Sequence, residues 1–103
     1  MNNNKFLSFL GICRRAGKMT LGFDSVLKSV VEKESCLILL ASDIAGNTEK
    51  NLNEKLSQST VKVIKLPYGK EELYRSVGKP VGIISINDKG FADKITQLAP
   101  DNQ

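Results

Sequence analysis

Histidine is absent from this 103-residue chain. That removes the side chain that most often serves as general base and as zinc ligand. The two cysteines, Cys13 and Cys36, are too few for a disulfide framework and too far apart for a CxxC redox or zinc motif. Apolar neighbours around both predict buried thiols. There is no glycine-rich nucleotide loop of the GxGxxG or Walker type. The adjacent acids Glu71 and Glu72 fall at a predicted helix start, where the helix dipole accounts for them. No catalysis, cofactor or metal is expected. Long hydrophobic runs are also missing: the longest, Cys36 to Ala41, is far too short to cross a bilayer. The opening segment, with Phe-Leu-Ser-Phe-Leu broken at Arg14 and Arg15, reads as an amphipathic helix start rather than a signal peptide. The expectation is a cytoplasmic protein with no membrane association.

What is present is an ordinary globular composition, 41% hydrophobic and 25% charged, without repeats, low-complexity tracts or linkers. Residues 1–103 are expected to form one domain with a sizeable core. The charge is unevenly placed. Residues 1–28 carry Lys5, Arg14, Arg15, Lys18 and Lys28 against the single acid Asp24, so the formal +4 of the whole chain sits in its first quarter. A localised basic surface beside a helix N-terminus suits an anionic polymer.

The apolar pattern alternates between two periods. Phe6, Phe9, Leu10 and Cys13 make one helical stripe over residues 4–16, with Gly17 as its left-handed terminator. Residues 19–21 read as a short strand. Gly22 opens a second helix with the stripe Phe23, Val26, Leu27, Val30 and Val31. Residues 36–41 read as a strand buried on both faces. Asn47 or Thr48 is expected to cap a polar helix running to about Ser59. Residues 61–66 form a strand, 70–77 a helix, 81–86 a buried strand, and Asn87 or Asp88 caps a last helix through Leu98. This alternation predicts a three-layer α-β-α sandwich with a mixed four-stranded sheet.

The string from Gly17 to Lys28 resembles the signature of the ribosomal proteins called L-seven-Ae and L-thirty-e. Residues 37–43 and Gly78-Lys79-Pro80-Val81 match the same pattern at the expected spacing. Asn47-Thr48 and Gly90-Phe91-Ala92 look most similar to the small bacterial members. The resemblance implies binding of kink-turn RNA, a sharply bent internal loop built on tandem sheared G·A pairs. It implies contact through the turn and helix after the first strand and through an apolar loop before the last strand.

These roles are chemically legible. Gly22 lets the backbone approach a phosphate or base, and the open N–H groups of the first helical turn then face the ligand; a plain tight turn is the alternative. Lys28 follows Asp24 by four residues, so both project from one helix face, either as an ion pair or towards RNA. A lysine reaches guanine O6 or N7, and a carboxylate accepts from a base amino or imino group. A kinked RNA exposes such edges. The better-known members carry Asn-Glu where this chain has Asp24-Ser25, which weakens selectivity.

Arg14 and Arg15 point about 100° apart on a helix; Arg15, nearer the turn, is the candidate. Lys18 is read as a phosphate contact, and Lys79, Pro80 and Val81 either as the family's second contact loop or as a simple helix-to-strand connection. Asp43 is either a loop residue or a brace for Lys28 or Arg15. The aromatics Phe6, Phe9, Phe23 and Phe91 are expected in the core. The expected partner is a structured RNA, with ribosome association and a monomeric state. The competing expectation is a protein-interaction or scaffold module of the same fold.

Overall fold

The stripe of Phe6, Leu10 and Cys13 winds into α1 (Asn2–Arg15) in the computed structural model, which describes residues 2–100. The chain continues through β1 (Met19–Leu21), α2 (Phe23–Val31), β2 (Leu37–Leu40), α3 (Gly46–Lys55) and β3 (Lys62–Lys65). It ends with α4 (Lys70–Val77), β4 (Ile83–Ile86) and α5 (Lys89–Leu98). The strands form one sheet in the order β1-β4-β2-β3. β4 is antiparallel to β1 and β2, whereas β2 and β3 are parallel.

Side-chain alternation along the two central strands builds the layers. Leu37, Leu39, Ile84 and Ile86 pack with Phe6, Leu10, Leu73, Val77, Ala92 and Ile95, placing α1, α4 and α5 on one face. Ile38, Leu40 and Ile83 pack with Val26, Leu52 and Leu56, placing α2 and α3 on the other. The result is the expected α-β-α sandwich. Both central strands are covered on both faces, which is why they read as continuous apolar runs. The edge strand β3 carries Lys62 and Lys65, charges that discourage pairing with another chain.

A polar cluster fixes α2 against the sheet. Fully buried Ser85 donates to Asn87 Oδ1 (2.7 Å) and sits 2.6 Å from Ser35 Oγ. Asn87 Nδ2 donates to Thr20 Oγ1 at 2.6 Å, and Ser29 on α2 reaches Ser85 at 3.4 Å. These bonds satisfy one another, so the cluster orders the α2–sheet interface instead of weakening it.

The helix ends follow local chemistry. Gly17, at φ 75°, closes α1 with the bonds Gly17 N–H to Arg14 O and Lys18 N–H to Cys13 O, both 3.1 Å. Asp88 caps α5 by accepting from Phe91 N–H. The end of α2 repeats the α1 pattern, with Lys33 N–H to Val30 O and Glu34 N–H to Ser29 O, but places Lys33 at φ 62°. A side chain in the left-handed region costs about 1–2 kcal/mol, offset in part by the larger folding entropy of glycine. Lys33→Gly is therefore expected to raise stability by about 0.5–1 kcal/mol, read as a higher urea midpoint at unchanged slope.

Three expectations need correction. α3 starts at Gly46 behind an extended Ala45, without a side-chain cap, and ends at Lys55 rather than near Ser59. Leu56 to Ser59 continues as turns because the N–H groups of Ser57 and Ser59 donate back to Glu54 O and Leu56 O. Val31 is 79% exposed, since it lies at the margin of the α2 stripe and at the last helical position. Cys36 is exposed, because cover from the two helical layers begins one residue later, at Leu37. Cys13 is buried as expected, and burial, with a smaller push from Asp88, raises its pKa to about 11. A disulfide reagent at mildly alkaline pH should titrate one thiol, Cys36, in the native protein and both after denaturation. Two fast thiols in the native state would contradict this packing.

Candidate nucleic-acid interface

Antiparallel pairing of β1 with β4 brings the end of β1 against the start of β4, where Gly22 N–H donates to Ile83 O at 3.0 Å. Gly22 has φ 95° and ψ 158°, a region closed to almost every residue with a Cβ. It begins α2 without a side-chain cap, so the first-turn amides receive no side-chain bond from the residue that opens the helix. Neighbouring loops are tied to the same end of the sheet. Ala41 N–H donates to Gly82 O (2.9 Å), Ser42 N–H to Tyr68 O (2.7 Å) and Leu66 N–H to Leu40 O (2.8 Å). Between them lies a cleft of about 250 Å³, with Gly22 and Phe23 on one side, Ile44 and Thr48 on another, and Lys70 and Pro80 to Ile83 closing it.

Lys70 is the functional candidate that sequence reading passed over. Its backbone N–H donates to Asp43 Oδ1 at 3.0 Å. Its Cε lies 3.3 Å from the position a Cβ on Gly82 would occupy, so the stem crosses Gly82 into the cleft. The α4 start is secured a second time where Gly69 N–H donates to Glu72 Oε1 at 3.1 Å. Asp43 therefore orders the start of α4 and does not brace Lys28 or Arg15. The reason is topological: residues after two parallel strands emerge at the same sheet end, and Asp43 and Lys70 follow β2 and β3. That strand pairing is the signal that would have found Lys70.

The other candidates divide into groups. The cleft brings Gly22, Pro80 and Val81 together, with exposed Lys79 adjoining Pro80. Ser25 and Lys28 line a separate depression of about 220 Å³ beside Thr20 and Glu32. Lys28 is six residues beyond Gly22, about 9 Å along the α2 axis, and exposed Asp24 lies between them. Lys18 is at the opposite end of β1, about 13 Å from Gly22 at strand rise. Arg15 is not at this site: it lines a groove between α1 and α4, on the other face of the sheet. Among the described residues the ion pairs are Lys65–Glu49 and Lys89–Asp93. Asp24 and Lys28 do not pair. The described residues contain no cluster of three metal-ligating side chains and no helix long and apolar enough to cross a membrane.

A mixed four-stranded sheet between helical layers, with a glycine-initiated helix flanking a cleft at one strand end, defines a small three-layer α-β-α architecture. Residues 4–96 match the Ribosomal protein L7Ae/L30e/S12e/Gadd45 family, and the chain belongs to it. RNA-binding protein YlxQ of Bacillus subtilis is 33% identical over 103 residues, covering 95% of this chain and 98% of the relative. Large ribosomal subunit protein eL30 of Saccharomyces cerevisiae is 35% identical over 92 residues, covering 87% and 88% respectively. A solved protein of unknown function from Bacillus halodurans superposes with a TM-score of 0.83 at 32% identity, covering 91% of this chain and 95% of that one.

Proposed function

We propose that this chain is a non-catalytic, cytoplasmic RNA-binding protein, ribosomal or ribosome-associated, which as a monomer recognises kink-turn RNA through the turn and helix starting at Gly22. The carrying observation is the cleft that sets Gly22 opposite Pro80 and Val81 with Lys70 alongside. The relatives named as an RNA-binding protein and a ribosomal subunit protein support the same partner class.

Each part has a task. The first-turn amides of α2 meet a phosphate, helped by the positive end of the helix dipole. Lys70 supplies a mobile charge to the same backbone, since a lysine acts on phosphate as a point charge. Lys28 and Asp24 read base edges that the bend exposes. Pro80 and Val81 give an apolar wall. Lys18 and Lys79 contact outlying phosphates, while Asp43 orders the Lys70 side. Ser25 is too short to reach a base as the family's glutamate does. Ultraviolet crosslinking in cells, followed by sequencing of the bound RNAs, tests the reading. It is supported if recovered fragments share a bent internal loop with tandem G·A pairs. Recovery at background levels would favour a protein-interaction module instead.

A further inference from the structure

We propose a second RNA-binding surface on the opposite face of the sheet: the groove between α1 and α4, where Arg15 and Arg75 grip the phosphates of another RNA segment. The inference has its own geometry and stands whether or not the cleft recognises a kink-turn. The groove measures about 560 Å³ and is lined by Ser8, Gly11 and Arg15 from α1 and by Glu72, Arg75 and Ser76 from α4.

Gly11 explains why it exists. A glycine inside a helix costs about 0.5–1 kcal/mol relative to alanine. Here a Cβ would stand 3.2 Å from Ser76 O and 3.4 Å from Arg15 Nη1. The missing Cβ thus allows α4 to approach and the Arg15 guanidinium to fold back along α1 over the groove. Arg75 is next to Ser76, at the same crossing. Neither guanidinium takes part in the ion pairs or side-chain hydrogen bonds among the described residues. Glu72, the acid of the groove, accepts from Gly69 N–H through Oε1 at the start of α4, where the helix dipole favours negative charge, so two guanidinium charges face one carboxylate.

The groove therefore offers two uncommitted guanidinium forks and two serine hydroxyls. A guanidinium matches phosphate oxygens in bidentate geometry, and hydroxyls are common phosphate partners. A protein partner would need an apolar or aromatic anchor at the centre of the contact, and the lining offers only half-buried Leu7. The ligand is a nucleic-acid backbone, held without sequence readout. Because the groove runs between α1 and α4 while the cleft opens at the strand ends beyond the start of α4, one molecule can bridge two RNA segments.

The test is fluorescence anisotropy with a minimal kink-turn RNA and with a plain RNA duplex of about 20 base pairs, across a range of salt. Arg15→Ala with Arg75→Ala should weaken duplex binding at least about tenfold and flatten the salt slope by about two. Affinity for the minimal kink-turn should stay within about twofold of wild type. The paired Arg→Lys variant should keep the slope while losing part of the affinity, since charge remains and the forks are lost. Unchanged duplex affinity and slope in the alanine variant would overturn the proposal. So would failure of the wild-type protein to bind the duplex, or equal loss on both RNAs. A duplex loss in a protein that does not discriminate kinked RNA would instead reject the cleft reading and leave this one intact.

Discussion

Replacing Lys28 and Lys70 together by glutamate should lower affinity for a kink-turn RNA by at least about 100-fold. Each lysine makes a charge-assisted contact of roughly 1.5–3 kcal/mol in the proposed complex, and reversal adds repulsion from the phosphates. The two residues approach the RNA from different elements. Lys70 reaches the cleft over Gly82 from an α4 start held by Asp43, whereas Lys28 projects from the second turn of α2 beside Ser25. Neither change touches the core, so circular dichroism should report an unaltered fold. Lys18→Glu should cost only about tenfold, because it removes one outlying phosphate contact from a side chain that starts about 13 Å from Gly22 along β1. Anisotropy titrations at one fixed salt concentration decide the matter. A Lys18→Glu loss equal to that of the double variant would move the interface to the opposite end of the sheet.

Gly22→Ala is expected to damage both stability and binding, unlike the comparable change at Gly17. The free protein has room at either position, since no heavy atom lies within 4 Å of an added Cβ. The penalty is therefore conformational. At φ 95° and ψ 158° Gly22 occupies a region that alanine enters only at a cost of about 1–3 kcal/mol. Relief of that strain would rotate the Gly22 peptide, break its bond to Ile83 O and redirect the first-turn amides of α2. Loss of about 2 kcal/mol in urea unfolding is expected, with at least about tenfold weaker kink-turn binding. Gly17, at φ 75°, terminates α1 away from the cleft. Alanine there should cost about 0.5–1 kcal/mol of stability, the left-handed penalty less the larger folding entropy of glycine, and leave affinity unchanged. Equal affinity of the Gly22→Ala and wild-type proteins would remove the α2 start from the interface.

Features that depend on a few consecutive residues are legible in the sequence itself. Doubly covered strands announce themselves as apolar runs, and Gly17 and Asp88 act on backbone groups within one helical turn. The turn at Gly22 belongs with these. Legibility ends where distant segments meet. The Asp43–Lys70 contact exists because β2 and β3 are parallel neighbours, a fact of register that no local motif encodes. The basic residues of 14–28 look like one surface when written in a line. A strand separates them, however, and sends α1 and α2 to opposite faces, which places Arg15 beside Arg75 instead of beside Gly22. The exposure of Cys36 depends on the residue at which helical cover begins.

The most direct measurement compares the affinity of the protein for a kink-turn RNA with that for the same RNA in which the tandem G·A pairs are replaced by Watson–Crick pairs. Straightening the loop withdraws base edges from Asp24 and Lys28, contacts worth about 1–3 kcal/mol each. A preference of at least about 30-fold for the kinked RNA is predicted, at a salt concentration where phosphate contacts alone bind weakly. Affinities within about twofold of each other would contradict kink-turn recognition by the Gly22 cleft.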